Sequence, residues 1–238
     1  MKLYSASLLI GLTLAAPLAL AEITGNVSLT SDYRVKGISQ TGENPALQGG
    51  IDYVHESGFY SGVWGSNVDF FEAGDPWDND ESVEIDVYGG YYGVVNDGLT
   101  YDVTLFHYFY PGSIVDVDFS EISIGANLGA ARVEYSYAHD YINIGEDYQY
   151  LEANYTFALP AKFNLELHAG YSYGSFFDDP AISFLEEYAD YSLSLSRNVA
   201  GIDVALAYID TNIDSPYAID NDFLSNQDTV ILSFTKSL

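Results

Sequence analysis

Cysteine is absent from the chain, which excludes disulfide bonds, thiol catalysis and thiolate metal sites. Long apolar runs are also missing, because no stretch beyond the N-terminal region approaches the roughly 20 apolar residues that a membrane-spanning helix needs. Basic residues are scarce, with 7 Lys and Arg against 35 Asp and Glu. Since such a chain repels phosphate, no nucleic-acid partner is expected.

The first residues predict export from the cytoplasm. Lys2 precedes an apolar run from Leu8 to Ala16, and the Ala19-Leu20-Ala21 segment has the small-x-small pattern that signal peptidase accepts. A retained membrane anchor is the alternative, but the run is short for a bilayer span. We therefore predict a cleavable signal peptide over residues 1–21 and a single mature domain over residues 22–238.

Aromatic and alternating residues are abundant in the rest of the chain. Aromatic residues make up 16% of the sequence and include 22 Tyr, a composition that argues against a disordered acidic tail. Apolar side chains recur two positions apart; in residues 99–105 they take the odd positions and polar side chains the even ones. This period is that of β-strands, and the predicted class is all-β.

Twelve strands are predicted from this alternation, and short and long connections follow one another between them. The predicted strands are 23–35, 46–55, 59–70, 82–95, 99–110, 119–128, 131–141, 148–159, 163–175, 188–198, 202–212 and 228–238. Outer-membrane barrels place short turns in the periplasm and longer loops outside, with an even number of strands. The sequence therefore predicts one transmembrane antiparallel β-barrel with both termini in the periplasm.

The strands of a soluble sandwich or lipocalin-like barrel would also alternate apolar and polar residues. The residues at the apolar positions of each strand, the apolar phase, must therefore distinguish a soluble protein from a membrane barrel. That phase is almost free of charge in mid-strand, and the strands run to about 11 residues, whereas soluble strands average about 5–6. Aromatic residues are predicted at strand ends on this outer face: Tyr33, Tyr60, Phe70, Tyr91, Tyr101, Phe109, Tyr137, Phe157, Phe163, Tyr173, Tyr191 and Tyr208. Such aromatic girdles are typical of membrane barrels.

The N-terminal third carries a family resemblance. Segments Ser28–Arg34, 37–41, 44–50 and Gly58–Asn67 resemble the TorF-like porin family, a proteobacterial family without an assigned function. The resemblance implies a channel-like outer-membrane barrel of Gram-negative bacteria and supplies no functional residues. From the strand phase, we expect Arg34 to lie in the lumen near the outer mouth and Tyr33 to face lipid.

The polar phase of the strands is acidic. The predicted pore-lining residues are Arg34, Asp52, Glu84, Asp86, Asp102, Arg132, Glu134, Glu152, Glu166 and Asp190. Only the two arginines oppose the carboxylates, so any conductance is expected to favour cations. Twelve strands lie between the filled barrels of about 8 strands and the open channels of about 16. An inward loop could close the passage, as could four inward aromatic residues, Tyr88, Phe106, Tyr108 and Tyr110.

These features predict a porin for passive diffusion of small hydrophilic solutes, with a preference for cations. The alternative is a non-conducting barrel with a structural role or with acidic loops that bind something outside the cell. Expected partners are outer-membrane lipid and lipopolysaccharide, the barrel-assembly machinery and the solutes themselves, and a homo-oligomer is left open. No cofactor is expected.

Catalysis and metal binding are not predicted. His107 and His139 fall on the outer face, but no serine lies two residues from either of them, so a lipid-facing Ser–His pair is not expected. Asp75, Asp78 and the acids that follow them lack the spacing of a calcium-binding EF-hand loop. We therefore interpret this acidic run as solvated surface, and the alternative is a surface that shares divalent cations with lipopolysaccharide phosphates.

Overall fold

A computed structural model describes residues 22–70, 82–178, 183, 185–213 and 226–238. The strands are β1 (Glu22–Thr30), β2 (Arg34–Val35), β3 (Ile38–Ser39), β4 (Ala46–Val54), β5 (Phe59–Asn67), β6 (Val83–Asn96), β7 (Leu99–Phe109), β8 (Phe119–Leu128), β9 (Ala131–Ala138), β10 (Tyr148–Ala158), β11 (Phe163–Tyr173), β12 (Tyr188–Val199), β13 (Ile202–Thr211) and β14 (Thr229–Ser237). Short 3₁₀ turns occupy Tyr141–Asn143, Pro160–Lys162 and Ser175–Phe177. No helix in these ranges is long and apolar enough to cross a membrane.

Twelve of the strands form one closed barrel in the order β1-β14-β13-β12-β11-β10-β9-β8-β7-β6-β5-β4, and β2 pairs with β3 in a separate sheet. β1 closes the barrel: Asn26 is in register with Ser237 of β14 on one side and with Gly50 of β4 on the other, both antiparallel. Within the described residues, closure leaves no unpaired edge in the twelve-stranded barrel wall. The predicted twelve-stranded antiparallel barrel is confirmed.

The two faces of the wall are inverted relative to a soluble barrel. Ile51 and Leu105 on the outer face are 64% and 59% exposed, whereas Asp86 on the inner face is 0% exposed. A soluble barrel turns its apolar side chains inward, and a membrane barrel turns them toward lipid. The alternation in the sequence therefore encodes an apolar exterior and a polar interior.

The first predicted strand is too long, because the chain turns inward after Thr30. The Thr30 hydroxyl donates a hydrogen bond to the Asp32 carbonyl (2.9 Å), and the Tyr33 N–H donates to Oγ1 of Thr41 (3.2 Å). These bonds replace the pairing that a straight strand would have made with its neighbours. Residues 31–45, which we name the inner loop, instead leave the wall: the part from Asp32 to Thr41 folds into the barrel and contains the β2–β3 hairpin, and residues 43–45 are exposed.

Three aromatic residues predicted on the outer face lie elsewhere. Tyr33 and Tyr60 are buried, since the Tyr33 hydroxyl donates to Glu84 (2.8 Å) and the Tyr60 hydroxyl shares a hydrogen bond with Thr104. Phe59 and Tyr60 are adjacent and both aromatic, so only one of them can face outward, and it is Phe59. Phe70 follows the end of β5, and its ring packs at 5.6 Å from that of Tyr110.

Candidate functional site: the barrel lumen

The predicted pore-lining residues all point to the inside of the barrel. Most of them are buried: Arg34, Asp52, Glu84, Asp86, Asp102, Glu152, Glu166 and Asp190. Arg132 and Glu134 are partly exposed, with side chains 23% and 22% accessible. Arg34 reaches the lumen from β2 of the inner loop and not from a wall strand as predicted, because β1 has already ended. Whether these side chains line a conducting path stays a prediction.

The inner loop crosses the lumen with a tight hairpin at its tip. Val35 pairs with Ile38, and the two residues between them, Lys36 and Gly37, have φ values of 51° and 84°. Two left-handed residues in succession are what a type I′ turn requires. A Cβ atom at Gly37 would overlap the Thr211 methyl group and lie 2.9 Å from Cβ of Asp190, so the tip is wedged against β12 and β13.

Arg34 fastens the hairpin at its base. Its side chain is 1% exposed, and its Nε donates to Oδ2 of Asp32 at 2.7 Å. Its Nη1 donates to the carbonyl oxygens of Gln227 (2.7 Å) and Gly37 (3.1 Å). Asp32 also accepts a hydrogen bond from Oγ of Ser39 (2.6 Å), so both charges of this buried ion pair have further partners. The loop is thereby tied to the segment before β14.

Lys36, at the tip of the hairpin, contacts β8 and β10 on the opposite side of the barrel. Its Nζ lies 3.2 Å from Oε2 of Glu121 in β8 and 4.4 Å and 5.0 Å from the ring centroids of Tyr148 and Tyr150 in β10. The lysine side chain is 17% exposed. Burial lowers the pKa of the Lys36 ammonium, but Glu121 and the surrounding tyrosines together raise it by more, and the net direction is upward. Lys36 is therefore a charged group inside the lumen.

Asp86 is the least satisfied carboxylate on the inner wall. It is 0% exposed, and neither of its oxygens has a hydrogen-bond partner in the described part of the chain. Its neighbour two residues before, Glu84, accepts the hydrogen bond from Tyr33 of the inner loop. A buried ionised carboxylate without a partner is costly, so Asp86 is a poor place on the inner wall to hold a negative charge.

Two networks of side-chain hydrogen bonds hold other acids of the lumen, namely Asp102, Glu134 and Asp190. Nη1 and Nη2 of Arg132 donate to the two carboxylate oxygens of Asp102 at 2.7 and 3.0 Å, and Nη2 also bonds Glu134. On the other side, the His168 ring lies between Asn154 and Asp190, with both ring nitrogens 2.8 Å from an oxygen. His168 is therefore a hydrogen-bonding group of the lumen.

Aromatic side chains form a continuous row on one inner wall. The Tyr88 and Phe106 ring centroids are 5.6 Å apart, those of Phe106 and Tyr108 are 5.9 Å apart, and Tyr108 stacks on Phe119 at 4.6 Å. The Tyr88 hydroxyl donates to Asp52. The inward placement predicted for Tyr88, Phe106 and Tyr108 is confirmed, and Phe119 extends the same row.

Sequence reasoning missed the Lys36 contact and counted only Arg34 and Arg132 among the basic residues of the lumen. Glu121 could have been predicted as an inward residue from the alternation of β8. Glu121 and Ser123 point into the barrel, and Ile122 between them points outward. Lys36 carries no such signal, since it belongs to the inner loop and to no wall strand. Its position depends on contacts with strands more than 80 residues away in the chain.

The outer face holds a pairing that was not expected. Nδ1 of His107 lies 2.8 Å from Oγ of Ser120, which β8 places directly opposite in register. The prediction that no serine accompanies His107 is thus wrong, because the neighbouring strand supplies one. Among the residues described, no carboxylate or amide side chain bonds the His107 ring to orient it, so the third member of a triad is missing there.

No metal site is formed by the residues that the structure covers: they contain no group of three or more His, Asp or Glu arranged to hold an ion. The acidic run that begins at Asp75 and continues to Glu81 lies outside the described residues. The interpretation of that run as solvated surface therefore stays a prediction.

A closed barrel with an apolar exterior and a polar interior is the fold of porins, and two solved porins share it. The KdgM porin matches with a TM-score of 0.54 and 10% identity over 92% of this chain and 99% of its own. The NanC porin matches with a TM-score of 0.56 and 9% identity over 90% of this chain and 98% of its own. At these identities the likeness shows the fold alone.

The chain belongs to the bacterial family of unknown function designated Gcw_chp, whose model matches residues 15–238. No curated protein matches the sequence. The resemblance to the TorF-like porin family stays a prediction.

Proposed function

We propose that the protein is an outer-membrane channel for passive diffusion of small hydrophilic solutes, with a preference for cations. The observation that carries the proposal is the closed barrel of twelve strands with lipid-compatible side chains outside and carboxylates inside. In the described residues, the acids of the lumen outnumber its three lysine and arginine side chains, Arg34, Lys36 and Arg132. An excess of fixed negative charge in a passage with low-dielectric walls attracts cations and repels anions.

The proposed location is the outer membrane of a Gram-negative cell. The porin-like barrel supports it, and export through the signal peptide over residues 1–21 is part of the same proposal. Lipid, lipopolysaccharide and the barrel-assembly machinery are then the partners that any such barrel meets.

Removing one inner-wall charge tests the cation preference. Oε2 of Glu152 is buried without a hydrogen-bond partner, and the basic group that faces it is the His168 ring, with Nδ1 at 3.8 Å. Glu152→Gln is expected to lower the cation-to-anion permeability ratio, measured as the reversal potential of purified protein in a planar bilayer under a salt gradient. Glu56→Gln is the matched control, because Glu56 is exposed in a short turn outside the lumen. An equal change in both variants, or none in either, would contradict the assignment.

A second function is favoured by the inner loop. The loop bonds to β6, β8 and the segment before β14 and fills part of the lumen. A barrel closed in this way could serve as a non-conducting structural protein or present its outer loops for binding. Correctly inserted protein that carries no ion current would support this second function and reject the channel.

A further inference from the structure

The Lys36 ammonium occupies a site with a defined chemistry. Glu121, Tyr148 and Tyr150, which we name the ammonium cage, surround Nζ with one carboxylate at 3.2 Å and two ring faces at 4.4 and 5.0 Å. Ring faces attract cations through their quadrupole, more strongly when the cation is partly desolvated. The Lys36 side chain is 17% exposed and meets this condition.

The cage is held in place by contacts that do not involve Lys36. The Tyr148 hydroxyl donates to Oγ of Ser172 at 2.6 Å, and the Tyr148 ring packs against Tyr141 at 4.5 Å. The Tyr150 hydroxyl donates to Oδ2 of Asp190 at 3.0 Å. Both tyrosines and Glu121 stand on wall strands. The cage should therefore keep its geometry when the lysine side chain is removed.

We propose that the ammonium cage is a binding site for the primary ammonium group of a solute, and that Lys36 is a tethered occupant that competes with it. The inference rests on the proposed function, in which cationic solutes enter the lumen. A tethered competitor acts at a high effective concentration, so solutes bind weakly and leave again, as passage through a channel requires. The ligand class is set by the occupant that the structure shows, an alkylammonium.

A metal ion fits the same place poorly. Hard cations such as Ca²⁺ take six to eight oxygen ligands, and Mg²⁺ needs octahedral oxygen coordination. The cage offers one carboxylate and two aromatic faces, and the described residues hold no metal-binding group of acids. Aromatic faces with a single carboxylate are instead suited to an organic cation.

The test removes the lysine side chain and returns it as a free amine. Lys36→Gly suits the left-handed φ of 51° at this position, and n-butylammonium restores the missing atoms. Calorimetry on the refolded full-length chain is expected to show n-butylammonium binding to Lys36→Gly at least tenfold more tightly than to wild type. Lys162→Gly is the matched control, because Lys162 has a φ of 62° in an exposed turn and should behave as wild type.

Further variants separate the cage from non-specific binding. Lys36→Met fills the cage with a neutral side chain and should bind no n-butylammonium. Glu121→Gln in the Lys36→Gly background should weaken binding at least tenfold, and 1-butanol should not bind. Should Lys36→Gly fail to fold, Lys36→Ala with n-propylammonium makes the same test.

The proposal is overturned if folded Lys36→Gly binds n-butylammonium no better than wild type, or if the Glu121→Gln change leaves the affinity unaltered. Because binding is measured without ion current, a protein that binds the amine but does not conduct would reject the proposed channel and keep the site.

Discussion

At the scale of single residues, the lumen is organised by a few basic side chains that each meet several acceptors. Arg34 shows this best, since its 1% exposed side chain bonds Asp32 and two carbonyl oxygens. Removing one partner of a buried ion pair leaves the other charge unpaired, which costs about 3–5 kcal/mol. The anchoring of the inner loop should therefore depend on this residue.

Arg34→Ala is expected to lower the free energy of opening the inner loop by about 3–5 kcal/mol. Hydrogen exchange at the Gln40 amide reports this opening, because its N–H donates to the Tyr33 carbonyl within the loop. Arg197→Ala serves as the control: Arg197 is exposed and lies 5.2 Å from the Phe163 ring. Unchanged protection of Gln40 in Arg34→Ala would show that Arg34 does not hold the loop.

At the scale of elements, alternation located the wall strands well, and β8 over Phe119–Leu128 has the predicted bounds. It failed where polar and apolar residues go on alternating after the strand has ended, as they do beyond Thr30. The difference lies in hydrogen bonding, because side chains such as that of Thr41 satisfy the backbone of the inner loop. A pattern of side-chain polarity carries no information on which partner the backbone takes.

The outer face of β8 tests the membrane assignment. Ile124, near the middle of the strand, is 52% exposed, and Leu128, at its end, is 67% exposed. Ile124→Arg should destabilise the barrel in lipid by about 2–4 kcal/mol, and Leu128→Arg by about 0–1 kcal/mol, because the cost of a charge falls toward the interface. Reversible unfolding in lipid vesicles measures both. Equal costs at the two depths would contradict a bilayer around this face.

At the scale of the whole molecule, the sequence predicts the barrel wall and its acidic inner face, but it does not predict that the inner loop lies in the lumen. Inward acids such as Asp52 and Glu166 follow directly from strand phase, because phase needs only neighbouring residues. The contact between Lys36 and Glu121 joins residues 85 positions apart and depends on how the closed barrel places β8 opposite β1. Local periodicity cannot predict a contact of that kind.

The most direct test of the account compares ion currents with and without the inner loop. Thr30 and Ala46 are paired in register, so a short Asn-Gly turn can join β1 to β4 in place of residues 31–45. In planar bilayers, both proteins should give cation-selective reversal potentials, and the shortened variant should have the larger single-channel conductance. Inserted, folded barrels that carry no current in either form, or that prefer anions, would contradict the account.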